Sequence, residues 1–349
     1  HNKALLNTPG FILLGCFTHL AHAYSIPFSP LSSSRSFSTS AKTSTMPAVL
    51  PVSQRARCFK MCSALGDTTK FDKLSPTQLV EAAARIVPEL SWTASKGGAG
   101  RVAVIGGSVE YTGAPFFAAM SALRTGVDMS HVFCHKDAGT AIKAYSPELI
   151  VHPVLESEPE DKNKSHEILQ RILQEIGPTM TRYDGLLVGP GLGRDPLVIE
   201  ACSKLLCMAA QQDLPIVLDA DGLFILTSAI LAGEGASATQ KEVLAALSSA
   251  FLTITPNRVE FNRLSNALGL TERSGPEAFE TPEAFAQTIG SRIGKRVTIV
   301  VKGPRDVIAD GTSMLTCSTE GSRRRCGGTG DVLAGLLLAF KVWARQAVR

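Results

Sequence analysis

Seven short, almost wholly apolar runs recur between residues 101 and 301, at 101–106, 131–134, 149–152, 185–189, 215–218, 251–254 and 296–301. Apolar residues in such runs do not alternate with polar ones, so each reads as a strand buried on both faces. Helical spacing fills several of the intervals, with helices expected from Pro115 to about Thr125, near 166–176, over 196–211, and again after Asp221 and after Pro256. A further helix opens at Ser75-Pro76 and ends near Pro88, its proline sitting where a helix tolerates one. Two shorter β-like pieces follow at 306–309 and 313–316. Strands alternating with helices specify an α/β fold with a mostly parallel central sheet covered by helices on both faces. The 349 residues and 44% apolar content are enough for a substantial core.

The unusual residues fall just after the strands: Gly107-Ser108, Gly189 to Gly193, Asp219 to Gly222, Asn257 to Glu260 and Lys302 to Asp306. In open parallel sheets, ligands bind beyond the carboxyl ends of the strands, so these loops predict a site along one edge. A glycine turn, Cys326-Gly327-Gly328-Thr329-Gly330, leads through Asp331 into an apolar helical stretch. Free amides at such a helix start bind anions, and Arg323-Arg324-Arg325 just upstream suits a polyphosphate. Asp331 has two readings here, a partner of the helix dipole or a base beside a phosphate cradle.

Other candidates also carry two readings. Gly191 and Gly193 are turn glycines or a bare floor for a bulky substrate, and Asp219 and Asp221 could cap the next helix, Asp221 above all. Asn257 and Glu260 stand three apart, as a capping box or as holders of Mg²⁺ through water. Lys302 is a solvated lysine or, with Asp306, a frame for a nucleotide. His166-Glu167 is followed by Gln170 rather than a second histidine, and no G-x-S-x-G is present, which removes zinc-protease and α/β-hydrolase readings. The remaining histidines read as isolated. Cys16, Cys58, Cys62, Cys134, Cys202, Cys207, Cys317 and Cys326 show no C-x-x-C spacing, which points to reduced thiols. A net charge of +4 calls for no nucleic-acid partner, and no apolar run is long enough to span a membrane.

Residues 1–66 hold no Asp or Glu but include Lys3, Arg35, Lys42, Arg55, Arg57 and Lys60, with serine concentrated over 25–44. That composition predicts a disordered organellar transit segment, mitochondrial before plastid, with a cytoplasmic form from Met46 or Met61 as the alternative. The folded domain is then expected over 67–349, with a truncated carboxyl end.

The ordered motifs resemble those of the ATP-dependent NAD(P)H-hydrate dehydratases of the ribokinase-like superfamily. They run from Lys96-Gly97-x-x-Gly100-Arg101 and Gly106-Gly107-Ser108-x-x-Tyr111-Thr112-Gly113-Ala114-Pro115 through Gly189-Pro190-Gly191-Leu192-Gly193-Arg194. Leu218-Asp219-Ala220-Asp221-Gly222, Thr255-Pro256-Asn257-x-Val259-Glu260-Phe261 and Val301-Lys302-Gly303 follow, before the turn at 326–331. The resemblance implies phosphorylation of a ring hydroxyl in hydrated NADH or NADPH (the S form) by ATP. Loss of phosphate then restores NADH or NADPH, leaving ADP and phosphate. Asp331 would be the base. Gly191, Asn257, Arg258, Val259, Glu260, Phe261, Asn262, Arg263 and Asp331 would contact the hydrated dinucleotide. Lys302, Gly303, Pro304, Arg305 and Asp306 would line the ATP site, together with Gly321, Ser322, Arg323, Arg324, Arg325, Cys326, Gly327, Gly328, Thr329 and Gly330. Mg²⁺ would be the cofactor, with Glu260 reaching it through water. The resemblance further implies a separate epimerase partner and leaves a homo-oligomer open. A vitamin-precursor kinase of the same superfamily and a non-catalytic nucleotide-binding module are the alternatives.

Overall fold

The computed structural model describes residues 75–270, 288, 292–311, 314–319, 321 and 326–348. Segment 1–66 and the expected ATP-site residues Ser322, Arg323, Arg324 and Arg325 lie outside the described residues.

Nine strands form one sheet: β1 (Arg101–Ile105), β2 (Met129–His135), β3 (Ile150–Leu155), β4 (Gly185–Val188), β5 (Ile216–Leu218), β6 (Leu252–Ile254), β7 (Val297–Val301), β8 (Asp306–Ala309) and β9 (Met314–Cys317). Their spatial order is β3-β2-β1-β4-β5-β6-β7-β8-β9. β1 to β7 pair in parallel, whereas β8 runs antiparallel to β7 and β9 antiparallel to β8. The chain winds outward from β1 to β3, then crosses to the other side of β1 and continues to β9. The reversal between β1 and β4 opens a crevice at their carboxyl ends.

The helices among the described residues are α1 (Pro76–Ala84), α2 (Gly113–Thr125), α3 (Gly139–Tyr145), α4 (Ser165–Ile176), α5 (Pro196–Gln211), α6 (Asp221–Ala232), α7 (Ala238–Ser249), α8 (Arg258–Ala267) and α9 (Thr329–Val348). One core lies under α4 to α8, where Ala103, Ile105, Leu186, Val188, Ile216, Leu218, Leu252 and Ile254 meet Ile172, Leu205, Leu226, Val243 and Phe261. Val102, Val104, Leu187 and Val217 face the opposite way, onto Ala118, Ala122, Leu338, Val342 and Trp343 of α2 and α9. Both faces of the central strands are therefore buried, as their unbroken apolar character requires.

α9 is tied into the second core along its length. Trp343 Nε1 donates to the Ala99 carbonyl at 2.7 Å, and Ser121 Oγ of α2 donates to the Val332 carbonyl at 2.7 Å. At Gly335 an added Cβ would overlap the Ala118 carbonyl, so these two helices pack with their backbones nearly touching.

Several expectations need correction. α3 and α7 fall where the sequence reading places no helix. The first helix ends at Ala84 rather than near Pro88. The histidines are not all isolated, since His131 Nδ1 and His152 Nε2 lie 3.0 Å apart on β2 and β3. Burial, joined by the charge of His152, lowers His131 to about 4.

Candidate active site

The glycine turn reaches the sheet edge through one special backbone position. Gly328 has φ of 88°, and a Cβ there would come within 2.8 Å of the Phe117 ring, so only glycine lets the turn lie against α2. Val332 N donates to the Gly328 carbonyl at 3.0 Å, which starts α9 and leaves Asp331 in its first turn.

Asp331 is half-buried and its pKa is pushed up to about 6, first by burial and then by the Asp219 carboxylate, while Lys302 pulls it down. These charges arrive from separate strand ends. Lys302 follows β7, where its N–H donates to the Pro256 carbonyl at 2.8 Å. Its ammonium donates to Asp219 Oδ1 at 2.7 Å. Asp219 follows β5, is 2% exposed, and on the same oxygen receives the Thr255 hydroxyl at 2.7 Å. Across the gap, a Cβ on Gly330 would stand 3.3 Å from Lys302 Nζ. The ends of β5, β6 and β7 are thus stitched to the turn that carries Asp331.

The loop after β4 closes the other side. Gly189, with φ of 126°, sits where a Cβ would overlap the Asp219 carbonyl. Gly191, with φ of 61°, lies where a Cβ would come within 2.8 Å of Tyr111. Gly193 N donates to Asp221 Oδ2 at 3.0 Å, and Arg194 Nε donates to Oδ1 of the same residue at 3.1 Å. The expected capping role of Asp221 is therefore corrected. Ala220, at φ of 47°, occupies the N-cap, and the Asp221 carboxylate holds the β4 loop instead. Two cavities flank this loop. One of about 240 Å³ lies between Ser108, Glu110, His135, Ser157, Gly193 and Asp195. The other, about 250 Å³, lies between Arg194, Asp221, Phe224, Thr227, Glu260 and Arg263.

Asn257 and Glu260 form a capping box: Asn257 Oδ1 accepts from Val259 N and Glu260 N, and Glu260 Oε2 accepts from Asn257 N at 2.8 Å. Arg258 and Val259 are exposed, whereas the Phe261 side chain is buried in the first core. Asn262 Oδ1 is buried without a partner, and Arg263 lines the second cavity. Gly303, Pro304 and Arg305 form an exposed turn pinned by Gly303 N donating to Asp306 Oδ1 at 2.9 Å. Gly321, Cys326, Gly327 and Thr329 are exposed, and Gly328 and Gly330 half-buried. Lys302 is not the solvated lysine that its sequence position allowed.

Sequence reasoning missed the Asp219–Lys302 pair, whose partners are 83 residues apart with no local signal joining them. It also missed Phe117 and Tyr111 as the walls against which Gly328 and Gly191 rest.

The solved structure of a ribokinase-like superfamily protein from Enterococcus faecalis V583 is similar, with a TM-score of 0.54 at 20% identity over 75% of this chain and 80% of that one. A hypothetical protein from Streptococcus mutans gives a TM-score of 0.52 at 24% identity over 76% and 84%. The fold is therefore ribokinase-like. An ATP-dependent (S)-NAD(P)H-hydrate dehydratase of Sorghum bicolor is 45% identical over 267 residues, 76% of this chain and 65% of that protein. The proteins of that name in Arabidopsis thaliana and Homo sapiens are 43% and 42% identical, each over 75% of this chain and over 68% and 67% of their own lengths. The chain thus spans just under two thirds of the sorghum relative. The family model for NAD(P)H-hydrate dehydratase matches residues 102–349, from β1 through the Asp331 helix. On that match, and on relatives above 40% identity, the chain belongs to the NAD(P)H-hydrate dehydratase family.

Proposed function

We propose that this protein returns the S form of hydrated NADH and NADPH to NADH and NADPH at the expense of ATP. The observation that carries the reading is Asp331. It is a carboxylate with raised proton affinity in the first turn of a helix, behind a glycine turn and facing the Lys302 ammonium. The names of the relatives and the family match support the substrate assignment.

Asp331 takes the proton of the ring hydroxyl as its oxygen attacks the γ-phosphorus of ATP, and ADP departs. Phosphate then leaves the ring carbon with its bonding electrons while the neighbouring carbon gives up a proton, restoring the dihydronicotinamide. Phosphoryl transfer needs alignment and charge neutralisation more than covalent help. Amides of 327–330 and the Lys302 ammonium are the groups that provide it. ATP lies along 302–306 and 321–330, and the hydrated dinucleotide along Gly191 and 257–263.

Mg²⁺ usually rides on nucleotide phosphates with only one or two protein carboxylates. Glu260 fits that role, because only Oε2 is taken by the capping box, and no cluster of three metal-ligating side chains exists among the described residues. When bound, the ion would neutralise phosphate charge. The acid-free segment 1–66 supports a mitochondrial destination. A separate epimerase would supply the S form.

The test is incubation with hydrated NADH, ATP and Mg²⁺. Recovery of reduced-nicotinamide absorbance with release of phosphate is expected. A stable phosphorylated product would instead identify a kinase.

A further inference from the structure

The cavity of about 250 Å³ beside the β4 loop is entered by two arginines, Arg194 from that loop and Arg263 from α8. Arg194 is exposed, yet its guanidinium is fixed at two points. Its Nε donates to Asp221 Oδ1 at 3.1 Å, and its guanidinium carbon lies 4.6 Å from the centroid of the Phe224 ring. Asp221 is itself anchored by Gly193 N. The two Nη groups of Arg194 have no hydrogen-bond partner among the described residues, and neither has the guanidinium of Arg263.

The other polar side chains of the cavity are already engaged. Thr227 Oγ1 and Ser228 Oγ donate back to the Leu223 and Ile225 carbonyls, and Glu260 Oε2 accepts from Asn257 N. Asp221 holds the β4 loop and Arg194. The unused groups are therefore mainly donors, and they belong to the arginines. An arginine held flat over a ring presents its remaining N–H groups as a fork, which fits a phosphate better than a point charge does. The cavity is smaller than the roughly 300–1,000 Å³ of a whole small-molecule site, so it takes one portion of a larger ligand.

We propose that Arg194 and Arg263 clamp a phosphate group of the hydrated dinucleotide in this cavity, with Asp221 as the residue that positions Arg194. The identity of the ligand rests on the proposed function, whereas the clamp rests on the cavity. Two phosphates share the required chemistry. The diphosphate bridge is present in both substrates, and the 2′-phosphate is carried only by the NADPH form.

The test is calorimetric binding of NADH and NADPH without ATP, since these carry the same phosphates as their hydrated forms. Arg194→Met and Arg263→Met are each expected to weaken NADPH binding by about 10- to 100-fold, the range for a lost charge-assisted hydrogen bond. An equal loss for NADH assigns the clamp to the diphosphate bridge, and a loss confined to NADPH assigns it to the 2′-phosphate. Arg194→Lys keeps the charge without the fork and should recover only part of the affinity. Asp221→Asn should give a smaller loss, with nothing added when it is combined with Arg194→Met. An additive loss would overturn the positioning role. Unchanged affinity for both dinucleotides in either arginine variant would overturn the clamp, as would a wild-type protein that binds neither. Thermal unfolding checks each variant, and Arg263→Met decides the matter if Arg194→Met is unstable. In turnover, KM for the hydrated substrate should rise while KM for ATP changes less than about threefold. A wild-type protein without dehydratase activity that still binds dinucleotides through these arginines would remove the proposed function and leave the clamp standing.

Discussion

Gly335 of α9 rests against the carbonyl of Ala118 in α2, so closely that no Cβ fits between them. Asp331 lies one helical turn before this contact. The clamp therefore sets the height of the carboxylate above the sheet edge. Gly335→Ala must separate the helices and is expected to destabilise the fold by about 2–3 kcal/mol. Urea unfolding would show it, together with reduced turnover in the folded fraction. A variant as stable and as active as the parent would show that the contact is slack.

Asp331→Asn keeps the shape of the turn but removes the carboxylate proposed as proton acceptor. Turnover is expected to fall by about 10²–10⁴-fold, with ATP affinity by calorimetry nearly unchanged.

The base role proposed for Asp331 requires its ionised form, so kcat/KM is expected to fall as pH drops through about 6. The sign for stability follows from the same shift. A carboxyl whose folded pKa lies above its unfolded value binds more protons in the native state, so its contribution is full at low pH and lost as pH rises through about 6. Asp331→Asn should therefore raise Tm at pH 7.5 and leave little difference at pH 4. Equal Tm gains at both would argue against the burial of this charge.

Lys341, also on α9, is fully buried, donates to Thr253 Oγ1 at 2.6 Å and lies over the Phe251 ring. Burial holds its pKa well below that of a free lysine. The unfolded chain then binds more protons, so stability should rise with pH toward the ordinary lysine range. Lys341→Met is expected to stabilise by about 1 kcal/mol or more at pH 7, with the gain shrinking by pH 10. Urea midpoints at the two pH values would measure it.

Cys326 is exposed beside the glycine turn, whereas Cys134, Cys202, Cys207 and Cys317 are buried. Burial pushes Cys134 and Cys202 up to about 12. Of these five, Cys326 should be alkylated first by iodoacetamide, and ATP should slow it. Peptide mapping that found Cys134 or Cys202 modified first would contradict the packing of the strands and α5.

The parallel sheet is legible in the sequence because strands buried on both faces leave an unbroken apolar signature, as at Val102–Ile105 and Leu186–Val188. The capping box at Asn257 and Glu260 is legible for a similar reason, being complete within four residues. α3 is not, since seven residues without a side-chain cap carry too little periodicity. α7 did carry a local signal, the Ser237–Gln240 capping box, which the sequence reading passed over. The Asp219–Lys302 pair has no local trace. It exists because β5, β6 and β7 lie side by side, and adjacency in a sheet is not written in either residue's neighbourhood.

The helix that bears Asp331 comes after all nine strands of the sheet, yet it supplies a large share of one of the two cores. While a ribosome is still making the protein, Val102, Val104 and Leu187 have only part of their cover on that side, from α2, until residues 334–344 emerge. A nascent chain must therefore wait, half open, for this helix, and synthesis that halted before it would leave a sticky sheet for chaperones to hold.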